Sequence, residues 1–332
     1  MTTSIPSDDL LQPHEANCRW RGRMASPGVA SKQGSDTGTV EHLLKPPDPE
    51  VATLRFALDQ VGMTLSTTRD PPHRSLPEVA TELMRVVQSP KADAAAIERI
   101  IARDPFVSAQ ILSVANSALY APRTPISGIR DAAVRIGMEA VRDIALMVIT
   151  TSRMFRVAGL EKQTMVMCNR SVVTAVAARK LAQILGANND YAFLAGLLHD
   201  VGHLLFLEEA SKNGLITRRV LGNSDLLQVL FEKSGQYHQP IGATACLGWG
   251  LPQAAADASM FHHRYRHEGK HYLAAHLVAV ADTVADAVGV GNTPVAISPT
   301  APPFSDMGLK PEMVKGLIDE TRAIASSMGV PV

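Results

Sequence analysis

The residues of this chain with the most chemical potential are a His-Asp pair, His199-Asp200, inside the apolar run GLLHDVGHLLF. Side by side on a helix they can present one imidazole nitrogen and one carboxylate to a shared cation. One metal needs more donors than that. Further along stand His238 in YHQPIGA, the pair His262-His263 in MFHHRY, and Asp282 in VAVADTVA. Helices packed around one centre can aim all of them inward, as metal sites in helical bundles do. His203, four residues after His199, adds a donor if the helix runs unbroken, and Gly202 is where an interruption is expected. Taken singly, a buried His is more often a satisfied core residue than a ligand. The aspartates shift that balance, because an acidic side chain in an apolar helix costs several kcal/mol unless paired or metal-bound. A cation site and a metal-free hydrogen-bond network of His199, Asp200, His238 and Asp282 both fit these spacings.

The segments that must position these residues read as helices. Residues 1–50 are rich in Ser, Pro, Gly, Asp and Lys without apolar period and are expected to form a disordered tail. Val51 to Met63 suits one short helix, and TTRDPPHR a linker, so that residues 51–74 precede the compact part. Ser75-Leu-Pro-Glu78 is a capping-box pattern, followed by Val79, Leu83, Val86 and Val87 at helical spacing. Asp104-Pro105 starts a helix with Val107, Ile111, Leu112 and Ala115 on one face. Ser127 is expected to cap the next helix, which stops at Gly137, and Met138 to Phe155 continues helical. Thr164–Leu185, Asp190–Leu207, Leu226–Lys233, Ile241–Leu247, Pro252–His263 and Tyr272–Val288 complete the set. A Pro-rich loop at 297–304 leads to a last amphipathic helix, Pro311–Met328. Asp286, on the helix of Asp282, is expected to face solvent, so Asp200→Ala should do more harm than Asp286→Ala. Strand alternation and internal repeats are absent, which makes the fold class all-α.

Composition agrees. The 332 residues are 46% hydrophobic and 5% aromatic, which favours helices over a β-sandwich. The 32 basic and 32 acidic side chains cancel, so no strong global field for nucleic acid or anionic membrane is expected. The apolar stretches Leu194–Leu207 and Ala274–Val290 carry His199, Asp200, His276, Asp282 and Asp286 and read as core helices rather than membrane spans. Cys18, Cys168 and Cys246 are odd in number and far apart, which fits a reduced, cytoplasmic setting, and no secretion signal opens the chain. Arg264, Arg266, His267, Lys270 and His271 form a basic run able to attract a phosphate or nucleotide; such a run is more often a solvated loop.

The order His-Asp, His, His-His, Asp resembles the HD phosphohydrolase superfamily. RDPFVSAQILSVANSALYAPRTPISGIRDAAVRIGMEAVRDIAL, with its Asp-Pro start and Asn116-Ser117 pair, is similar to the leading half of HDOD domains. GLLHDVGHLLF, HQPIGATACLGWGLPQ and SMFHHRY are similar to the trailing half. The resemblance spans Ser75 to Gly289. It implies a multi-helix bundle in two lobes over residues 75–290, an N-terminal lobe at 75–160 and an HD-like lobe at 161–290, with a loop and C-terminal helix over 291–332.

Two departures stand out. HD enzymes place their first metal His in the helix before the HD pair, and here Arg170 takes that place. A guanidinium cannot ligate a metal; it either pairs with Asp200 or Asp282 or points to solvent. The HD-GYP cyclic-di-GMP phosphodiesterases, a related family, have a Lys where this chain has His203, and no Gly-Tyr-Pro run occurs. The resemblance therefore implies a non-catalytic bacterial signalling module acting through protein partners such as a kinase, response regulator or diguanylate cyclase. The alternatives are a metal-dependent phosphohydrolase, or a nucleotide or metal sensor, using His199, Asp200, His238, His262, His263 and Asp282 with iron, manganese, nickel or zinc.

Overall fold

Helix boundaries follow local chemistry. The computed structural model describes residues 48–68, 82, 94–117, 124–153, 157–187, 191–290 and 294–332. The expected tail lies outside that set up to residue 47, as do the capping box at 75–78 and most of the helix after it. Asp48 caps α1 (Pro49–Thr67), accepting from the Glu50 amide at 2.9 Å. After α2 (Ala94–Ala102), Asp104 accepts from the Val107 amide at 3.3 Å and starts α3 (Pro105–Ala115). Next come α4 (Ile129–Ile136), α5 (Met138–Arg153), α6 (Glu161–Ile184), α7 (Ala192–Leu198), α8 (Val201–Lys212), α9 (Arg218–Gly222), α10 (Ser224–Gly248) and α11 (Gln253–Phe261). A hairpin of two-residue strands, β1 (Arg266–His267) and β2 (Lys270–His271), precedes α12 (Leu273–Val288) and α13 (Pro311–Ser327). The described residues are thus all-α apart from that hairpin, which occupies the expected basic loop.

Several boundaries differ from the sequence reading. The first helix is longer than 51–63, and it belongs to the main core: Leu54, Leu58, Val61 and Leu65 are buried against α10. The α4 cap is Gly128, not Ser127, with no side-chain bond, because the helix begins one residue later and buries Ile129 and Ala132. The segments 226–233 and 241–247 are one helix, α10, running through Pro240. An interior proline costs about 3 kcal/mol, but α10 buries Leu230, Tyr237, Ile241 and Cys246 on both sides of it, and packing of that extent holds the helix together.

The helices α6, α7, α8, α10, α11 and α12 pack around one centre, with α1 laid on α10 and α13 on α6 and α12. The smaller lobe, α2 to α5, meets this body where α5 touches α6 and α7. There the fully buried Asp143 pairs with Arg142 and Arg179. Asn116 closes the turn after α3, donating to the Leu112 and Ile126 carbonyls and accepting from the Ile126 amide at 2.7 Å. Beyond α12, His276 anchors the following loop: its Nε2 lies 3.0 Å from the Pro303 carbonyl, its Nδ1 2.9 Å from His271 Nε2, and its ring stacks on Tyr265. No described helix is long and apolar enough to cross a membrane.

Candidate metal centre

The centre is built at a helix break. The helix expected over 190–207 stops at Leu198 and restarts at Val201, so the interruption is at His199-Asp200 rather than at Gly202. The Ser259 hydroxyl of α11 donates to the His199 carbonyl at 2.9 Å. Gly202 has a different reason to be glycine. A Cβ there would lie 1.9 Å from the His238 carbonyl oxygen, so α8 and α10 meet backbone to backbone. Gly196 does the same for α7, where a Cβ would stand 2.7 Å from the Ala175 backbone of α6, and one at Gly242 would stand 2.2 Å from Ser259 Oγ. These approaches bring His199, Asp200, His203, His238 and His262 into one buried cluster. His263 is its exposed member.

Each imidazole is oriented through Nδ1. His199 Nδ1 lies 2.8 Å from the Gly196 carbonyl, His238 Nδ1 2.6 Å from the Gly235 carbonyl, and His262 Nδ1 3.0 Å from the Ser259 carbonyl. A carbonyl only accepts, so Nδ1 carries a proton in all three, and a neutral ring so held presents the Nε2 lone pair, the arrangement that prepares an imidazole for metal. His203 Nδ1 faces Ser234 Oγ at 2.8 Å, and its ring stacks on His238 with centroids 4.3 Å apart.

The Nε2 atoms converge on Asp200. Its Oδ2 stands 3.3 Å from His199 Nε2, and its Oδ1 stands 3.4 Å from His262 Nε2 and 3.7 Å from His238 Nε2. Nε2 of His199, His238 and His262 and Oδ1 of Asp200 are buried without a hydrogen bond. These four polar atoms face one another at separations that an ion of suitable size would bridge, and the pairs of Asp200 with His199 and His262 are the contacts a metal-free network would use. Their ligand atoms fall into overlapping triads, His199-Asp200-His262, Asp200-His203-His238 and His238-His262-His263, each within 4.8 Å.

Protonation follows from the same contacts. Burial opposes charge on His199, but the Asp200 and Asp282 carboxylates outweigh it and raise its pKa to about 10. Burial holds His238 well below the ordinary imidazole value and His203 at about 4. Burial would raise Asp200, yet the neighbouring His199 and His262 hold it well below the usual carboxylate range. His199 thus carries a second proton, on the Nε2 that faces Asp200, and a bound cation would take the place of that proton.

Asp282 is in the cluster but differently engaged. Arg170, buried on α6, pairs with both Asp282 and Asp286 and donates to the Asp282 carbonyl at 3.1 Å. Asp282 Oδ1 also stands 3.5 Å from His199 Nε2. Of the two placements open for Arg170, the structure has the paired one. The expectation that Asp286 faces solvent is corrected: at 5% exposure it is the second acceptor of the guanidinium fork. The signal was present, since Asp282 and Asp286 lie four residues apart on one helical face. Ser234 and Ser259, which orient His203 and the His199 carbonyl, carried no such signal. Arg264, Arg266 and Lys270 lie outside the cluster, on and beside the hairpin; Arg266 and Lys270 are exposed, and Lys270 Nζ sits 4.4 Å from the Tyr272 ring centre. Burial raises the thiols of Cys168 and Cys246 to about 12, so both are packing residues.

Comparison with known proteins adds a family and a fold. The family model for the HDOD domain matches residues 74–265. A structure from Shewanella amazonensis SB2B, named provisionally as a metal-dependent phosphohydrolase, superposes with a TM-score of 0.62 at 22% identity, covering 85% of this chain and 100% of that one. An HDOD domain protein of unknown function from Geobacter sulfurreducens gives 0.55 at 19% identity, over 84% of this chain and 94% of the other. A protein from Marinobacter aquaeolei VT8, named provisionally for signal transduction, gives 0.57 at 21% identity, over 84% and 65%. An uncharacterized protein of Treponema pallidum (strain Nichols) is 23% identical over 203 residues, 59% of this chain but only 39% of that relative's length.

Proposed function

From the premise that this chain belongs to the HDOD domain family, we propose that it is a regulatory signal-transduction module, acting through protein contacts, whose centre holds a divalent transition metal without turning over a substrate. The observation that carries the metal is the convergence of three buried imidazoles, each with Nδ1 on a carbonyl and Nε2 aimed at Asp200. Asp200, His238 and His262 would hold the ion, with His199, His203 and His263 as flanking donors. Nitrogen-rich donors of this kind suit iron, nickel or zinc better than manganese. Access and charge oppose turnover. His199, Asp200, His238 and His262 are at most 8% exposed, and Asp282 is already committed to Arg170. A bound ion would fasten α7, α8, α10 and α11 to one another, and occupancy would thereby alter how firmly the body is held for a partner such as a kinase, response regulator or cyclase.

A second reading, a metal-dependent phosphohydrolase, is favoured by His263, an exposed residue whose ring centroid lies 4.0 Å from that of His262 and adds a donor at the edge of the centre. An open position on a metal is where water would be activated. The deciding experiment is elemental analysis of protein purified without chelator, with Asp200→Asn as control, beside an assay on bis(p-nitrophenyl) phosphate. Stoichiometric metal, absent from the control and without hydrolysis, is the expected result. Hydrolysis lost in Asp200→Asn would replace the regulatory reading with the catalytic one. Folded protein that takes up no metal would end both metal readings.

A further inference from the structure

The Asp200 carboxylate divides the centre into two halves. Its Oδ1 faces His238 and His262, while its Oδ2 faces His199, which in turn faces Asp282. The second half already contains a cation. Arg170, 6% exposed, spans Asp282 and Asp286 with its two terminal nitrogens, and the Asp282 oxygen it holds is the one nearest His199 Nε2. We infer that Arg170 is a resident positive charge that fills the His199-Asp282 half, so that the centre accepts a single metal ion, in the Asp200-His238-His262 half. This rests on the metal-binding reading above and goes beyond it, by fixing the number of ions and assigning that number to one side chain.

Asp282 and Asp286 are buried one turn apart, and each hydrogen-bonds the Arg170 guanidinium, the positive partner that two buried carboxylates so close together require. A guanidinium supplies that charge permanently, since it does not lose its proton at any physiological pH. It also occupies the oxygen that a second ion would need. Removing the charge while keeping a polar side chain frees Asp282 and leaves His199, Asp200 and Asp282 as one imidazole and two carboxylates, a donor set complete enough for a divalent ion with water on its open positions.

The test compares wild type with R170Q and R170K, each expressed and purified in excess Co2+ and desalted, with cobalt per chain measured by elemental analysis and the visible spectrum recorded. Wild type and R170K, which keeps the charge, should retain one cobalt, and R170Q two, with added absorption from the second ion. One cobalt in all three proteins would overturn the inference while leaving the metal-binding reading intact. Two in wild type would overturn it as well. R170Q that stays unfolded even in cobalt would also count against it, because the second ion should replace the lost charge. No cobalt in any folded variant would instead bring down the metal-binding reading on which the inference rests.

Discussion

Asp286 is the residue at which sequence and structure part most clearly. On sequence alone it is one more acid on an amphipathic helix; in the fold it holds half of the Arg170 fork. Removing one partner of a buried ion pair leaves charge uncompensated, at a typical cost of about 3–5 kcal/mol. Asp286→Ala is therefore expected to lower unfolding stability by about 3 kcal/mol in urea titration. A loss no larger than that of a surface alanine substitution would show that the triad is not needed. The cluster residues themselves were legible, because His and Asp in apolar runs have few inexpensive fates. Ser234 and Ser259 were not, since a serine in a helix carries no mark of what its hydroxyl will meet.

At the scale of elements, most helices could be read from apolar period and caps, and the failures have physical causes. The HD segment breaks at His199-Asp200 because packing against α11 and α12, not local propensity, sets that break. The gap expected between Lys233 and Ile241 is closed through Pro240, because the cost of a proline is local, whereas the packing that offsets it is tertiary. The loop after α12 offers a pH test. His276 is neutral in its setting, donating from Nε2 to the Pro303 carbonyl and accepting at Nδ1 from His271, with Asp306, Arg266 and Tyr265 around it. Burial lowers its pKa from 6.5, so on acidification the unfolded chain takes up a proton before the native state does. The stability due to this group is complete above pH 6.5 and declines as pH falls below it. Wild type should lose more in melting temperature between pH 7 and pH 5 than His276→Gln, by calorimetry; equal losses would remove His276 as the cause.

For the whole molecule, the unexpected contact is α1, which precedes the matched family region yet seals one side of the body. The Tyr237 ring lies against Gly62, and Asp59 accepts from Lys233 at 2.5 Å and from Tyr237 at 2.9 Å. Both partners sit on the stretch of α10 that also carries Ser234 and His238. Asp59→Ala strips the buried Lys233 of its carboxylate and should cost about 2 kcal/mol. Hydrogen exchange should then quicken in α1 while α5 is unchanged; a uniform change would mean that α1 is not a separate cooperative unit. This docking was hidden in the sequence because α1 reads as a lone short helix beside a linker, and its partner surface lies some 170 residues away, as in the pair Asp59 and Lys233.

The glycines at 196, 202 and 242 have a consequence on the timescale of descent. A histidine of the centre replaced by a side chain of similar bulk is expected to leave these backbone contacts in place, since none of them involves an imidazole. A methyl group at Gly202 has nowhere to go, because the facing atom is a backbone carbonyl. Inherited variation therefore meets a stiff frame and a tolerant interior, and a lineage can abandon or rewrite the chemistry while the architecture persists. Arg170, paired with Asp282 and Asp286, sits inside that frame and is not part of it.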